Sequence, residues 1–418
     1  MIKTKSFLIA AFICLALVSC VRHKSGASAV PSTELNVVYS GTPQPHERDF
    51  ITNIFMKNFE ERYKVKVNIE FVTQADCIKK IGSEQSAKKI ETDVIFVDTA
   101  NIAPYISGGW MADIKDMLYA GSTFTAMYDG ITNRGEERFF IPACFDIYVL
   151  AANVDALKYL PAGLSSQDVL DGITLEQYAQ WAVNIARGEG AGKTMMPAKN
   201  EGSQLLYPMA GMGMAYGGGF PDFTSAGFKS ALGIIAEMAA GNAFYSEQQN
   251  FTAPTDPMRN GDVWLTFAHI SPIGVAYVEE RSQWVIGAAP TGLKGAGSTS
   301  GAWCWGVQKD APHADLAALW IEYVTTPHVN YQMCFRLSFL SPIKEIAPLL
   351  GTDDAVMIAG NKMLANTVIS GVPSSQYKDW NAVKLLYHDV FNETVNIKKV
   401  PSDAFLRDLE ARRQALKN

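Results

Sequence analysis

The run FFIPACFDIYVLAANVDAL at residues 139–157 constrains the fold of this chain more than any other stretch. It is rich in Ile, Val, Phe and Tyr and shows no helical repeat, so it predicts extended chain. Such a run is too long for one half of a compact domain, and we interpret it as a strand that crosses between two lobes. Asp146 interrupts its apolar part, and an unpaired buried carboxylate is energetically costly. Asp146 is therefore expected either to have a structural partner or to face a cleft.

The start of the chain has the pattern of an export signal. Lysines precede an apolar run at residues 7–18 that is too short to span a bilayer, so residues 1–19 predict a signal peptide. The run ends LVSC, which resembles the bacterial lipobox and implies cleavage before Cys20 and lipid attachment to its sulfur. The alternative is an ordinary signal peptide with an incidental cysteine. Residues 20–34 are expected to be a flexible tether, because they are polar and contain Ser, Ala and Gly.

Length and charge exclude some classes of protein. The 418 residues allow two or three domains, and a hydrophobic share of 48% is ordinary for a globular protein with a sizeable core. A net charge of -6 gives no sign of the basic surface that nucleic-acid binding requires. The cysteines after residue 20 fit no zinc-site spacing, and we interpret most of them as buried apolar residues while disulfides stay open: Cys77, Cys144, Cys304 and Cys334.

The first part of the mature chain alternates between strand and helix patterns. Runs at 35–39, 64–71 and 93–97 predict strands, and the segments 49–63 and 75–89 between them predict helices. This order is that of a doubly wound α/β lobe, in which ligands bind beyond the carboxyl ends of the strands. Polar side chains at those ends are candidate ligand contacts: Ser40, Gln74, Asp98 and Thr99.

Later segments are interpreted by the same criteria. The glycines between residues 211 and 219 lack the Lys-Ser/Thr of a phosphate loop, so they predict a wide flexible loop. The last helix is expected to begin at Ser402, with Asp403 favourable in its first turn. Helices are also predicted at 174–186, 226–240 and 315–324, and strands at 263–268, 284–289 and 302–307.

Several motifs occur in an order that resembles a known family. LNVVYS is followed by TDVIFVDTANIAPYISGGWMADIKDM, by the run at 139–157, and by RNGDVWLTFAHISP, STSGAWCWGV and FLSPIKE. The set resembles the extracellular solute-binding proteins of carbohydrate ABC transporters, the group related to maltose-binding protein, over nearly the whole mature chain. It departs from that family in two places. Ala152 precedes Asn153, where the family usually has a Tyr. The strand end FAHI (267–270) stands where the family usually has a small residue followed by Gly-Pro-Trp.

The resemblance implies an architecture. It implies the two-lobed periplasmic-binding-protein fold, α/β in class, with two doubly wound α/β lobes joined by a hinge that closes on a ligand. In this arrangement residues 35–143 and 287–335 form the first lobe, and residues 144–286 and 336–418 form the second.

The resemblance also suggests ligand contacts. The hinge carboxylate that binds sugar hydroxyls in the family falls on Asp146, and the polar residues after the third strand fall on Asp98, Thr99 and Asn101. The alternatives are a structural salt bridge for Asp146 and a helix cap for Asp98.

Aromatic residues are the second requirement of a sugar site, because rings pack against the apolar faces of sugars. Trp303 and Trp305 follow a Gly-rich loop and point the same way in a predicted strand. One of them is expected to stack on the ligand, and we favour Trp303 because it is nearer to the loop; the alternative is a place in the core. His269, at a strand end, is a further candidate, although a lone histidine is more often structural.

These features predict a non-enzymatic receptor that captures a carbohydrate or sugar-like solute and delivers it to ABC transporter permease subunits. The protein is expected to be monomeric, lipid-anchored and exposed to the periplasm or the cell exterior, with no cofactor, metal or nucleic acid. The sequence contains no G-x-S-x-G or H-E-x-x-H motif. The alternatives are a secreted glycoside hydrolase that uses Asp98 and Asp146, and a surface-adhesion lipoprotein with the same fold. The identity of the solute stays open.

Overall fold

A computed structural model describes residues 33–417 apart from 42, 44, 201–203, 351–353 and 366. The expected signal peptide, the lipidation site Cys20 and nearly all of the tether lie outside the described residues. Within the described part the strands are β1 (Glu34–Ser40), β2 (Lys66–Val72), β3 (Val94–Asp98), β4 (Asn133–Arg134), β5 (Glu137–Arg138), β6 (Ile141–Phe145), β7 (Tyr148–Asn153), β8 (Leu265–His269), β9 (Trp284–Ala288), β10 (Thr291–Gly292), β11 (Gly295–Ser300), β12 (Ala302–Val307) and β13 (Thr367–Gly371).

The helices predicted from the sequence are present within a few residues of their expected bounds. Ser402 caps the last one by accepting a hydrogen bond from the Phe405 N–H, as expected. A short π-helical segment joins the first two helices into one continuous run. The α-helices of the described part are α1 (Pro45–Phe50), α2 (Met56–Tyr63), α3 (Gln74–Ala87), α4 (Ala103–Ser107), α5 (Asp129–Thr132), α6 (Ser166–Asp171), α7 (Leu175–Glu189), α8 (Leu206–Ala215), α9 (Ala226–Ala240), α10 (Thr255–Arg259), α11 (Ile270–Glu279), α12 (Ala314–Val324), α13 (Pro327–Leu337), α14 (Ala355–Ala365), α15 (Trp380–Phe391) and α16 (Asp403–Ala415).

The first lobe is built on a five-stranded sheet in the order β2-β1-β3-β12-β6. β1 runs parallel to β2 and β3, as the strand–helix alternation predicts, and β12 runs antiparallel to β3 and β6. β3 is buried from Val94 to Val97, the burial expected of a central strand with both faces covered. Its last residue, Asp98, is partly exposed at the carboxyl end of the parallel strands.

The second lobe contains a three-stranded sheet, β8-β7-β9, and a smaller sheet, β10-β11-β13. β7 pairs antiparallel with both of its neighbours, so this sheet differs from the parallel core of the first lobe. All residues of β7 are buried, which explains why the second half of the run at 139–157 is so apolar. Helices α7 and α9 begin at the hydroxyl caps of Thr174 and Ser225, and their apolar faces are buried.

The glycine-rich stretch is only in part the loop that the sequence predicts, since residues 216–219 form a turn and loop while the residues before them are helical. Gly211 and Gly213 lie inside α8, in which every residue is buried. A Cβ built on Gly297 of β11 would lie 2.0 Å from the carbonyl oxygen of Gly211, so these glycines allow helix and strand to approach closely. A helix that is apolar on all sides shows no amphipathic period, and the sequence pattern therefore missed it.

The chain crosses between the lobes near residues that the sequence analysis identified. β6 belongs to the first sheet and β7 to the second, so the run at 139–157 crosses at Asp146 and Ile147. The return crossing is at Gly301, between β11 and β12. Residues 340–344 still hydrogen-bond to the first lobe, whereas α14 packs against β9 and α11, so the chain crosses again between them.

These crossings lead us to propose lobe boundaries that differ from the expected ones. A boundary at residue 287 would place β10 and β11 in the first lobe, but β11 pairs with β13 and packs against α8 in the second. We propose that residues 34–145 and 302–344 form the first lobe and that residues 148–300 and 355–417 form the second.

The cysteines after residue 20 are all buried and free in the structure, which agrees with the interpretation of them as small apolar residues: Cys77, Cys144, Cys304 and Cys334. Among the helices of the described residues, none combines the length and the apolar character needed to cross a bilayer.

Candidate functional site

The crossings border a cleft that contains a cavity of about 410 Å³. The first lobe lines it with Tyr39 and Gly41 at the end of β1 and with the end of β3. The second lobe lines it with Tyr207 of α8 and with the start of α11, and Asp146 and Gly301 come from the crossings themselves. Because both lobes contribute to one cavity, a bound molecule would contact both sides of the hinge.

Asp146 lies at the first crossing and also caps a helix. Its Oδ1 accepts hydrogen bonds from the backbone N–H of Ile147 at 2.9 Å and of Ile270 at 2.7 Å, and its carboxylate also accepts the N–H of Ser271. Ile270 and Ser271 begin α11, so the positive end of that helix faces the carboxylate. Burial outweighs these bonds and raises the pKa of Asp146 to about 7. Asp146 therefore has a structural partner and also faces the cleft, although the sequence analysis treated these as alternatives.

Asp98 is both a helix cap and a cavity residue, two roles that were expected to be alternatives. Its Oδ1 accepts the Ala100 N–H at 2.7 Å and so caps the short 3-10 helix Thr99–Asn101, while its carboxyl group lines the cavity. Burial raises the pKa of Asp98 to about 6, and the positive charge of Lys384 on α15 acts in the opposite direction. Burial in turn lowers the pKa of Lys384.

His269 ends β8 and lines the cavity beside two tyrosines. The centroid of its ring lies 4.5 Å from that of Tyr148 and 5.6 Å from that of Tyr207. Burial lowers the pKa of His269 to about 4, even though the ring hydrogen-bonds to the backbone of Thr299. Its Nε2 is buried without a partner among the described residues, so the neutral ring keeps one acceptor that these residues do not satisfy.

Trp303 and Tyr39 provide an aromatic wall of the cavity. The indole of Trp303 stacks on Phe96 with ring centroids 5.4 Å apart and an interplanar angle of 11°, and it lies 6.1 Å from the ring of Tyr39. Gly41 has a φ of +145°, and a Cβ there would lie 3.0 Å from the edge of the indole. The residue at this position must therefore be small for the chain to pass Trp303.

The remaining predicted contacts do not line the cavity. Trp305 is only 1% exposed and packs against Phe96 and Trp320, so it belongs to the core. The Thr99 hydroxyl accepts the Ala302 N–H, and the Gln74 amide donates to the Ser40 carbonyl oxygen. Asn101 ends the short helix after Asp98 and is partly exposed. The structure thus brings Asp98, Asp146, His269 and Trp303 together and leaves these others as neighbours that support the site.

Several residues in or beside the cleft were not predicted from the sequence as ligand contacts. Tyr39, Glu47 and Tyr207 line the cavity, and Lys384 lies 5.8 Å from the centroid of the Tyr207 ring. Tyr39 follows the alternation of β1 immediately before the strand end, which is a signal that pattern reasoning could have used. Tyr207 and Lys384 lie within helical patterns that only the tertiary fold directs towards the cleft.

The comparison with known families identifies the family of this chain. A family described as bacterial extracellular solute-binding protein matches residues 55–359, which is more than half of the chain. The chain belongs to this family. As a member of an extracellular family, this solute-binding protein is exported. A search of curated proteins finds no match to it.

Solved structures show the same two-lobed fold. The solute-binding protein is similar to the GacH receptor of Streptomyces glaucescens, solved unliganded and with acarbose, at a TM-score of 0.72 and 17% identity over 92% of this chain and 98% of that one. It is similar to the cyclic alpha-maltosyl-1,6-maltose binding protein of Arthrobacter globiformis at a TM-score of 0.74 and 13% identity over 92% and 99%. The sugar-binding protein MalE of Xanthomonas citri matches at a TM-score of 0.72 and 18% identity over 92% and 97%.

Proposed function

We propose that this protein captures a sugar or sugar-like solute in the cleft and delivers it to the permease of an ABC transporter. The observation that carries the proposal is the convergence in one cavity of two carboxyl groups, a histidine nitrogen without a partner and an aromatic wall. Carboxylates accept hydrogen bonds from sugar hydroxyls, and aromatic rings cover the apolar faces of the same sugar. The similar structures from Streptomyces, Arthrobacter and Xanthomonas, which are described with saccharide-type ligands or as sugar-binding, support this choice of ligand.

A thermal-shift screen of mono- and oligosaccharides tests the capture step. A saccharide at a hundred times its dissociation constant should stabilise the protein by about 2.7 kcal/mol. The matched variant is Trp303→Ala, which should reduce that stabilisation, with Trp264→Ala as a control because Trp264 is partly exposed but does not line the cavity. A screen in which no saccharide raises the melting temperature would favour the surface-adhesion alternative.

Catalysis is the other candidate activity, because two carboxyl groups with raised pKa values lie in one cleft. A glycoside hydrolase needs such a pair, one group protonated as the acid and the other ionised. We propose binding without turnover, since a receptor that delivers its solute must release it intact. Incubation with oligosaccharides followed by product analysis distinguishes the two. Hydrolysis that Asp146→Asn abolishes would establish the enzyme.

The delivery step and the anchor are part of the same proposal. Lipid attachment at Cys20 would hold the receptor near its permease, while the polar tether at 20–34 lets the lobes reach it. Co-purification with permease subunits from the native membrane tests the partnership. Recovery of the receptor with an unrelated membrane complex would contradict it.

A further inference from the structure

The cleft also constrains the charge of its ligand, an inference that rests on the proposed function. We infer that the cleft selects a solute that places a cationic amine between Asp98 and Asp146, as an amino sugar or an amine-substituted saccharide would. Neutral saccharides then bind more weakly, and phosphorylated or carboxylated saccharides are excluded.

Acidic side chains line the cavity beside groups that can also donate hydrogen bonds, such as the hydroxyls of Tyr39 and Tyr207. Asp98 and Asp146 contribute carboxyl groups, and His269 lines the cavity with a ring whose buried Nε2 has no partner among the described residues. An ammonium group donates three hydrogen bonds and accepts none, whereas a hydroxyl donates only one. An amine between Asp98 and Asp146 therefore satisfies their carboxyl oxygens better than a hydroxyl in the same place.

The charged side chains that line the cavity are acidic. Asp98 and Asp146 line the same cavity, and the charge of Asp98 adds to the larger effect of burial in raising the pKa of Asp146. None of the described residues that line the cavity is a lysine or an arginine. A cation bound between the aspartates would oppose the rise in pKa and favour the ionised form of both.

Lys384 does not supply that cation. It lies over the ring of Tyr207, 5.8 Å from the centroid, and is not among the residues that line the cavity. Its charge acts against the rise in the pKa of Asp98, but burial is the larger effect and the pKa stays at about 6. Burial therefore outweighs Lys384 at Asp98, and a ligand amine beside this carboxyl group would act in the same direction as Lys384.

Among the described residues that line the cavity, no lysine or arginine is available to bind an anionic solute. Phosphate and carboxylate groups are bound by arginine, lysine or the free N–H groups of a helix N-terminus. The helices α8 and α11 both begin at the cavity, and at the start of α11 the N–H groups of Ile270 and Ser271 are already bonded to Asp146. An anion would also meet the charges of Asp98 and Asp146.

Matched saccharides that differ in one substituent test the inference by isothermal titration calorimetry. The probes are glucose, galactose, mannose and cellobiose, their 2-amino and 2-acetamido counterparts, and glucose 6-phosphate. We expect at least one amine to bind at least about tenfold more tightly than its hydroxyl counterpart, and the phosphate not to bind. Asp146→Asn and Asp98→Asn should each reduce that preference to less than about threefold, because the amide oxygen can still cap the backbone while the charge is lost.

Asp222→Asn is the matched control. Asp222 also accepts backbone N–H groups, from Thr224 and Ser225, but it does not line the cavity, so the preference for the amine should be unchanged. The inference is overturned if the neutral sugars bind as tightly as their amines, if the preference persists in both aspartate variants, or if no amine binds. Neutral sugars that bind, and that bind less well to Trp303→Ala, would leave the proposed function standing without the charge selection. If no saccharide of the panel binds, both the charge selection and the proposed function are contradicted.

Discussion

Trp303 and Trp305 are two residues apart in β12, and both rings contact Phe96, yet they have different environments. Trp303 pairs in register with Asp98 at the strand end and is partly exposed to the cavity, whereas Trp305 pairs with Phe96 and is buried against Trp320. Strand periodicity places both side chains on one face. It does not say where along that face the cleft ends and the core begins.

Substitution of each tryptophan should therefore give a different result. Trp303→Ala is expected to weaken solute binding at least about tenfold, a loss of about 1.4 kcal/mol, because the aromatic wall is removed. Trp305→Ala is expected to cost about 3–5 kcal/mol of folding stability, because it leaves a hole in the core. Calorimetric titration and urea unfolding of both variants separate these effects. Near-native affinity in a destabilised Trp303→Ala protein would remove Trp303 from the site.

The cleft aspartates should make stability depend on pH in a defined direction. Burial raises the pKa of Asp146 to about 7 and that of Asp98 to about 6, above the unfolded value of about 3.9. The folded state therefore binds these protons more tightly, and the stability they contribute is complete below about pH 4 and is lost as the pH rises through about 6 and 7. Asp146→Asn should accordingly stabilise the ligand-free protein more at about pH 8 than at about pH 5.

Asp168 provides the control for this measurement. Its hydrogen bonds to Ser165 lower its pKa, so it is ionised in both folded and unfolded states over the same range. Asp168→Asn should change the free energy of unfolding by a constant amount between the two pH values. If the effect of Asp146→Asn is equally constant, the Asp146 carboxyl group does not titrate in this window.

At the scale of the secondary-structure elements, α8 and β11 make a close contact that only small residues permit. A Cβ on Gly297 would lie 2.0 Å from the Gly211 carbonyl oxygen, whereas a Cβ on Gly233 of α9 would meet no atom within 4 Å. Gly297→Ala should therefore destabilise the protein by about 1–3 kcal/mol through overpacking. Gly233→Ala should stabilise it by about 0.5–1 kcal/mol, because alanine restricts the unfolded chain. Urea unfolding measures both, and equal effects of the two substitutions would contradict the packing argument.

At the scale of the whole molecule, the proposed function depends on where the protein is held. Cys20 is expected to carry lipid, and Cys20→Ser should release the protein from membranes into the soluble exported fraction. A single acyl chain anchors weakly and two or more anchor stably, so the mass of the mature protein should show several chains. Fractionation and intact mass spectrometry of both proteins check this. An unmodified mass, or the same membrane fraction for Cys20→Ser, would contradict it.

Local patterns in the sequence were sufficient for much of the framework. The alternation of strands and helices predicts β1 to β3, the run at 139–157 predicts the crossing, and Ser402 predicts the start of α16. These features depend on side-chain periodicity and capping, which act between residues close together in the chain. Asp146 was also identified this way, because a charged residue in an apolar strand requires a local explanation.

Only the tertiary structure decided which residues meet in the cleft. Tyr207 reaches it from α8 and Glu47 reaches it from α1, and Lys384 of α15 lies over the Tyr207 ring, although nothing in their own helical patterns points there. The return crossing at Gly301 depends on the pairing of β11 with β13, far along the chain. Such contacts are set by the packing of whole elements against one another. The charge of the cavity therefore follows from the fold and not from any single stretch of sequence.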